Sequence, residues 1–284
     1  MLARARDIPA DLVFVDMEDA VAPAARGPAA RRAAAEALAA GPWRAPTRGV
    51  RVNPVGSPWC LGDLREAVYA PGGPPDVVLV PKVEDAGQVA FVCHLLDALE
   101  AEAGIAAGAV GVELQIESAR ALCAVEAIAA GAPPRVEALV FGPGDFAASI
   151  GAPQLVVGGH TDAGGLDPGL AALARIVVAA RAHGLQAVDG PWGAIDDPEG
   201  LVDAARRARA LGCDGKWSIH PAQVPVLNRE FGADAAERAR ARAILDALEA
   251  GGAARAGGEM VDEATRRLAL AILRRGGDGD PPAR

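Results

Sequence analysis

The chain has 284 residues, of which 51% are hydrophobic and only 4% aromatic, so its core must be built from aliphatic side chains. The formal net charge of −9 argues against general binding to nucleic acid or to anionic membranes. The sequence has no secretory signal, no apolar run of membrane-span length and no CxxC pair among its four cysteines, which predicts a cytoplasmic enzyme with free thiols.

Short apolar segments alternate with longer, alanine-rich amphipathic segments. Strands are predicted at 11–18, 49–53, 76–83, 110–117, 138–145, 186–192 and 215–221. Helices are predicted at 28–40, 85–104, 118–131, 168–183, 197–212, 222–250 and 260–275. Strands that alternate with helices are typical of βαβ units and a parallel sheet.

Polar side chains stand at the C-terminal end of almost every predicted strand. They include Asp16, Glu18, Asp19, Arg51, Asn53, Lys82, Glu117, Asp145, Asp189 and His220. Many strand ends converge on one rim in a TIM barrel, whereas an open doubly wound sheet gathers its ligands at one switch point. The predicted fold is therefore an α/β class TIM (β/α)8 barrel with a C-terminal helical extension.

Only seven strands are identified where a TIM barrel has eight, so this chain is expected to lack the first strand of the barrel. The missing strand would precede Met1, or the barrel is shortened. Residues 1–250 are assigned to the barrel domain and residues 251–284 to the extension.

Two carboxylates end neighbouring predicted strands, Glu117 on one and Asp145 on the next. Adjacent barrel strands bring such ends close together, and two carboxylates with waters and substrate oxygens suit Mg²⁺ or Mn²⁺. The glycines of the FGPGD segment around Asp145 allow a close approach of backbone to a ligand. The alternative is a carboxylate pair satisfied by arginine or by backbone donors.

A strand-end arginine, Arg51, can bind a substrate carboxylate bidentately, or it can form a structural ion pair with Glu18, Asp19 or Glu113. Asp16, Glu18 and Asp19 can orient metal-bound waters and Arg51, or they can simply favour a helix N-terminus.

Other polar residues at strand or helix ends are less specific. Lys82 is predicted to act electrostatically rather than as a Schiff base, because Glu84 and Asp85 lie beside it. His220 before a proline is more typical of a structural hydrogen bond. Asp189 can line the pocket or form a turn with its glycine, and Asp262 stands where a carboxylate favours a helix dipole.

Eight stretches in order resemble the HpcH/HpaI aldolase and citrate lyase superfamily. They are ADLVFVDMEDAV, VRVN, VLVPKVE, LQIESARAL, ALVFGPGDFAASIG, AVDGPW, GCDGKWSIHPAQV and GEMVDEA, and they cover residues from about 10 to 270. The branch that looks most similar is that of malyl-CoA and citramalyl-CoA lyases.

The resemblance implies a TIM barrel, Mg²⁺ ligands at Glu117 and Asp145, a carboxylate-binding arginine at Arg51 and an acidic pair at Glu18 and Asp19. It also implies that Asp262, in the C-terminal extension, reaches a neighbouring subunit's site within a homotrimer or homohexamer and transfers a proton there.

Substrate contacts and chemistry are expected at the same rim. Arg51 and Lys82, with the segment Gly142, Pro143 and Gly144, are the expected substrate-binding residues. The expected reaction is cleavage of a 3-hydroxy-acyl-CoA, such as malyl-CoA, methylmalyl-CoA or citramalyl-CoA, into acyl-CoA and glyoxylate or pyruvate. The family's Pro-Gly-Arg type loop, which lies against coenzyme A, has no counterpart in the sequence. A thioesterase, an inactive or binding paralogue and an aldolase for free acids are the alternatives.

Overall fold

The computed structural model describes residues 5–159, 167–249 and 253–274. Seven parallel strands form one sheet in chain order, each hydrogen-bonded to the next. They are β1 (Leu12–Asp16), β2 (Thr47–Arg51), β3 (Val77–Val80), β4 (Gly111–Ile116), β5 (Val136–Phe141), β6 (Gln186–Asp189) and β7 (Gly215–Lys216). The central strands β3 and β4 are buried along their whole length, as expected of a parallel sheet that is covered on both faces.

Helices connect the strands. They are α1 (Pro28–Ala39), α2 (Cys60–Val68), α3 (Ala86–Ala103), α4 (Ala119–Ala130), α5 (Pro143–Ser149), α6 (Pro168–Ala182) and α7 (Pro198–Leu211). Five of these helices match the predicted ones to within one residue at each end. The other two, α2 and α5, were not predicted, and α5 begins inside the segment 138–145 that was assigned to a strand.

Side-chain caps set the N-termini of the predicted helices. Asp85, Ser118 and Asp197 each accept a hydrogen bond from the backbone N–H three residues later, at the start of α3, α4 and α7. Such caps satisfy donors that a helix leaves unpaired, which explains why these helix starts were readable in the sequence. None of the helices in the described ranges is long and apolar enough to cross a membrane.

The sheet is curled, so its first and last strands come close together. The ring of Phe14 in β1 lies 4.8 Å, centroid to centroid, from the ring of Trp217, which directly follows β7. The guanidinium of Arg51 lies 5.7 Å from the centroid of the same Trp217 ring. The curled parallel sheet with connecting helices confirms the barrel-type fold that the strand ends predict.

The chain divides into two compact units between Val226 and Leu227. The short helix α8 (Val224–Phe231) lies at this division, and the second unit contains α9 (Ala235–Glu249), the antiparallel hairpin of β8 (Ala254–Ala256) and β9 (Glu259–Val261), and α10 (Glu263–Arg274). The assignment of residues 251–284 as a functional extension stays a prediction.

The single helix predicted at 222–250 is interrupted. A short 3-10 helix at Pro221–Gln223 precedes α8, and the chain turns again before α9. Asp234 accepts a hydrogen bond from the N–H of Glu237 at 2.7 Å, while the Glu237 carboxylate accepts one from the N–H of Asp234 at 3.1 Å. This reciprocal capping box starts a new helix within an otherwise helical pattern.

A buried carboxyl group in the sheet gives a test of the fold. The register aligns Glu113 of β4 with Leu79, and Leu79 with Arg51, so Glu113 faces the same side as Arg51. Glu113 is 8% exposed, and burial raises its pKa to about 7, with a further contribution from the charge of Glu137.

Because the pKa of Glu113 is higher in the folded state, its contribution to stability is complete below about pH 4.5 and is lost as pH rises through about 7. Glu113→Gln is expected to raise the free energy of unfolding at pH 8 by up to about 3 kcal/mol and much less at pH 5. Urea unfolding at both pH values measures this. Glu126→Gln, on a helix surface, is the control, and a gain from Glu113→Gln that is equal at both pH values would contradict the argument.

Candidate active site at the C-terminal rim

The strand register brings polar side chains to one face of the curled sheet. Asp16 aligns with Arg51, and Gln115 aligns with Val140 two residues beyond Glu113. Since alternate residues of a strand share a face, Glu113, Gln115 and Glu117 point to the same side as Arg51. The C-terminal ends of β1, β2 and β4 therefore meet at one rim, as predicted.

Arg51 is held among carboxylates and is only 9% exposed. Its Nε and Nη2 donate to the two oxygens of Asp16 at 2.8 and 2.6 Å. Its Nη1 donates to Oε1 of Gln115 at 3.4 Å and lies 3.2 Å from Oε2 of Glu18. Asp19 lies farther away, at 3.7 Å from Nη2. Asp16, which sequence reasoning placed only within an acidic run, is thus the bidentate partner of Arg51.

Lys82 connects carboxylates from three strand ends. Its backbone N–H donates to Oε1 of Glu117 at 2.6 Å, and its Nζ donates to Oε1 of Glu18 at 2.5 Å. The same Nζ lies 3.6 Å from Oδ2 of Asp145 and 3.8 Å from Asp19. Burial would lower the pKa of Lys82, but the hydrogen bond to Glu18 and the negative charges of Glu18, Asp145 and Asp19 together outweigh burial and raise the pKa. The ammonium form is therefore favoured, in agreement with an electrostatic role.

The backbone of Lys82 is also unusual. Its φ of 53° is the only positive value at a non-glycine residue in the described ranges. This left-handed conformation costs roughly 1–2 kcal/mol for a residue with a side chain. The same residue donates its backbone N–H to Glu117, so the strained residue lies within the carboxylate cluster.

Glu117 and Asp145 both belong to this cluster. Glu117 is 4% exposed, and its Oε2 accepts a hydrogen bond from Nε2 of Gln115 at 3.2 Å. Asp145 lies in the first turn of α5, directly after β5, with a side chain that is 45% exposed. Burial raises the pKa of Glu117 to about 7, and the charge of Asp145 adds to the rise. No permanent arginine pair holds either carboxylate within the described part of the chain.

These residues fit a divalent cation. Five carboxyl groups surround the two cationic side chains of Arg51 and Lys82, so the cluster has an excess of negative charge. Oε2 of Glu18 is fully buried and has no hydrogen-bond partner among the described residues. The described residues contain no group of three His, Cys, Asp or Glu side chains able to hold a metal alone. Mg²⁺ is commonly bound by one or two carboxylates together with water and substrate oxygens, which matches Glu117 and Asp145.

Glu18 is the most deeply buried acid of the cluster, with no exposed surface. Burial raises its pKa, although the hydrogen bond from Lys82 and the charge of Arg51 act in the opposite direction. Asp19 is half exposed and approaches Arg26, Arg51 and Lys82 at 3.7 to 3.8 Å. The acidic pair therefore divides into one buried and one exposed carboxylate.

Two candidate residues from the sequence have structural partners elsewhere. Asp189 binds Nζ of Lys216 at 2.5 Å, and both side chains point to the helix-covered side of the sheet, away from Arg51. His220 caps the short helix Pro221–Gln223, with its Nδ1 accepting from the N–H of Ala222.

Sequence reasoning missed Gln115, although the alternating polar residues of VELQIE predict that it shares a face with Glu117.

Asp262 lies in the second unit, where it caps α10. Its Oδ1 accepts hydrogen bonds from the N–H groups of Ala264 and Thr265, both at 3.0 Å. The bond from Thr265 is the main cause that lowers the pKa of Asp262. The helix-terminal position expected from the sequence is confirmed, and a role in proton transfer stays a prediction.

The segment Gly142–Pro143–Gly144 joins β5 to α5 beside the cluster. A Cβ added at Gly142 would lie 2.4 Å from Cβ of Glu117 and closer still to its Oε2, whereas one added at Gly144 would meet nothing nearer than Val157 at 3.4 Å. Only a residue without a side chain lets Glu117 take its position.

Gly142→Ala is therefore expected to displace Glu117, to weaken Mn²⁺ binding at least 10-fold and to lower the melting temperature. Gly144→Ala, two residues away, is expected to change the melting temperature little. Calorimetric titration with Mn²⁺ and thermal unfolding measure both effects. Equal behaviour of the two variants would show that Gly142 does not set the position of Glu117.

Known proteins are similar to this chain in sequence and in fold. The model of the HpcH/HpaI aldolase/citrate lyase family matches residues 1–221. The L-malyl-CoA/beta-methylmalyl-CoA lyase of Rhodobacter capsulatus is 39% identical over 93% of this chain and 87% of its own length. The malyl-CoA/beta-methylmalyl-CoA/citramalyl-CoA lyase of Chloroflexus aurantiacus is 38% identical over 93% of this chain and 80% of its own length.

Solved structures of citrate lyase-type proteins have a similar fold. The protein CitE of Mycobacterium tuberculosis, in complex with magnesium, acetoacetate and coenzyme A, is 31% identical and superposes with a TM-score of 0.73 over 96% of this chain and 92% of its own. A citrate lyase of Burkholderia xenovorans is 28% identical and superposes with a TM-score of 0.75 over 92% of this chain and 82% of its own. The chain belongs to the HpcH/HpaI aldolase/citrate lyase family.

Proposed function

We propose that this protein is a metal-dependent lyase that cleaves, or forms by condensation, the carbon–carbon bond of a 3-hydroxy-acyl-CoA. The substrates considered are malyl-CoA, methylmalyl-CoA and citramalyl-CoA, with glyoxylate or pyruvate as the oxo acid released. Relatives at 36–39% identity that carry malyl-CoA lyase names support the class of reaction. The observation that carries the proposal is the cluster of Glu117, Asp145 and Lys82 at the rim.

Glu117 and Asp145 are the proposed ligands of Mg²⁺, with Mn²⁺ as a substitute. When bound, the cation would act as a Lewis acid on the hydroxyl and carboxylate oxygens of the substrate. The complex of the Mycobacterium tuberculosis relative with magnesium and coenzyme A supports this choice. The excess negative charge of the cluster would otherwise oppose the binding of an anionic substrate.

The chain's own residues would orient the substrate and balance its charge. Arg51 is proposed to bind the substrate carboxylate next to Glu18. Lys82 is proposed to hold Glu18 through its ammonium group and the carboxylate of Glu117 through its backbone N–H. The Gly142–Pro143–Gly144 backbone would lie against the acyl group. A base would take the hydroxyl proton, and the electron pair left on that oxygen would form the carbonyl of the oxo acid. The electron pair of the broken carbon–carbon bond would pass to the acyl-CoA, which leaves as its enolate.

Removing either proposed metal ligand tests the function. Glu117→Ala and Asp145→Ala are each expected to lower Mg²⁺-dependent turnover of malyl-CoA or citramalyl-CoA more than 100-fold, which exceeds the roughly 10- to 100-fold loss from removing a residue that only supports a metal ligand. Glu126→Ala, on a helix surface, is the control. Activity that survives both changes would overturn the assignment.

Product analysis separates the lyase from a thioesterase, since a lyase releases glyoxylate or pyruvate whereas a thioesterase releases the intact hydroxy acid and free coenzyme A. A comparison of thioester with free-acid substrates separates it from an aldolase that does not use coenzyme A. A protein that cleaves neither class of substrate would be the inactive paralogue.

We also propose that the C-terminal extension of one subunit completes the site of a neighbour in a homotrimer or homohexamer. Asp262 would then protonate the enolate carbon in the cleavage direction. In the condensation direction it would remove a proton from the same carbon of the acyl-CoA. Its carboxylate is held at the N-terminus of α10 by two backbone donors, which gives it a fixed orientation.

The two roles of Asp262 can be separated by substitution. Serine is a good N-cap but has no titratable group, so Asp262→Ser is expected to keep the melting temperature and to lose turnover, whereas Asp262→Ala is expected to lower both. Turnover by Asp262→Ser at the parental rate would exclude proton transfer.

Mixed oligomers then test whether the site is shared between subunits. Equal amounts of Glu117→Ala and Asp262→Ser chains, unfolded and refolded together, would place intact Glu117 opposite intact Asp262 at about a quarter of the sites. Recovery of activity supports a shared site, and its absence in well-formed mixed oligomers contradicts one.

A further inference from the structure

The carboxylate of Asp16 accepts four hydrogen bonds, and the proposed function assigns no role to this residue. Its carboxylate accepts from Nε and Nη2 of Arg51 at 2.8 and 2.6 Å, and from the backbone N–H groups of Glu18 and Ala20 at 2.9 and 3.0 Å. A carboxylate offers about four acceptor positions, so these partners saturate it. The side chain is 16% exposed.

The four donors belong to two different parts of the rim. Two of them are the adjacent nitrogens of Arg51, whose planar fork fits one carboxylate edge. The other two belong to the turn that carries Glu18 and Asp19. Burial would raise the pKa of Asp16, but the hydrogen bond and charge of Arg51 and the backbone hydrogen bonds from Glu18 and Ala20 together lower it, so the ionised acceptor form is favoured.

The pairing also decides which edge of Arg51 a ligand can reach. The Nε–Nη2 edge is occupied by Asp16. Nη1 remains, at 3.2 Å from Oε2 of Glu18 and 3.4 Å from Oε1 of Gln115. A substrate carboxylate must therefore approach the Nη1 end, beside a Glu18 oxygen that has no hydrogen-bond partner in the described structure.

We infer that Asp16 is a positioning residue for the substrate carboxylate, acting through Arg51 and through the turn that holds Glu18. The inference rests on the proposed function, because it assigns Arg51 to a carboxylate of the substrate. According to this inference, the substrate carboxylate binds at the Nη1 end of Arg51, beside Glu18, and not at the Nε–Nη2 edge that Asp16 occupies.

Asp16→Asn tests the inference because the amide replaces one acceptor with a donor and cannot accept from all four partners. In the condensation direction, with acetyl-CoA and Mg²⁺, the KM for glyoxylate or pyruvate is expected to rise 10-fold or more while kcat falls less. The Mn²⁺ affinity is expected to stay within twofold, since Glu117 and Asp145 are not changed.

A matched control lies on the same strand. Arg48 pairs with Asp76, whose Oδ2 accepts from the N–H and Nε of Arg48 at 2.7 and 3.4 Å. Alternation along β2 places Arg48 on the face opposite to Arg51. Asp76→Asn also breaks an aspartate–arginine pair, but it is expected to leave the KM for the oxo acid within twofold of the parental value.

The ring of Trp217 provides a second readout that does not need turnover, because the guanidinium of Arg51 lies 5.7 Å from its centroid. In protein labelled with 5-fluorotryptophan, the ¹⁹F resonance of Trp217, assigned with Trp217→Phe, is expected to shift in Asp16→Asn and not in Asp76→Asn. A Trp217 resonance and a KM that both stay at parental values in Asp16→Asn would overturn the inference, as would equal changes in Asp76→Asn.

If Asp16→Asn does not fold, Asp16→Glu decides by the same two readouts, because its longer side chain moves the carboxylate while keeping the charge. A shifted Trp217 resonance with a raised KM supports the inference, and parental values of both overturn it. If the parental protein cleaves no acyl-CoA substrate, the proposed function fails, whereas the Trp217 resonance still reports whether Asp16 positions Arg51.

Discussion

The concentration of negative charge at one end of the sheet is the constraint on which the rest of the site depends. Carboxyl groups at the ends of β1 and β5 pair with the cationic side chains of Arg51 and Lys82. The carboxyl group of Glu117, after β4, accepts a hydrogen bond from the backbone N–H of Lys82. Burial, and after it the negative charge of Asp145, disfavours the ionised form of Glu117 and raises its pKa. When a parallel sheet brings several acids together at the C-terminal ends of its strands, the acids are stabilised either by taking up a proton or by a cation bound among them.

Hydrogen bonds from other parts of the chain hold the turn that carries Glu18 in position. Asn53, which follows β2, donates to the carbonyl of Met17 and to Asp63 in α2, and Asp63 in turn accepts from Arg31 in α1. These buried bonds connect two helices to the turn that carries Glu18. Buried hydrogen bonds of this kind favour one conformation of the turn, although Oδ1 of Asn53 has no hydrogen-bond partner among the described residues.

Much of this architecture could be predicted from the sequence. The alternation of apolar strands with capped helices predicted five helices to within a residue, and the polar strand ends predicted the rim. The pairing of Arg51 with Asp16 could not be predicted, because the sequence offers Asp16, Glu18 and Asp19 as equivalent partners. Only the strand register places Asp16 opposite Arg51. Helix α5 was missed because its first residues, Pro143 and Gly144, are turn residues in most contexts.

The left-handed backbone of Lys82 limits which amino acids can occupy this position. Glycine, and to a lesser degree asparagine or aspartate, adopt such a φ at small cost, whereas β-branched residues do not. A valine or isoleucine would therefore remove the N–H from Glu117 as well as the ammonium from Glu18, even though both are common in the preceding strand. Natural variation at residue 82 is thus expected to follow backbone conformation as closely as charge, and a change to glycine would preserve the contact to Glu117 where a change to valine would not.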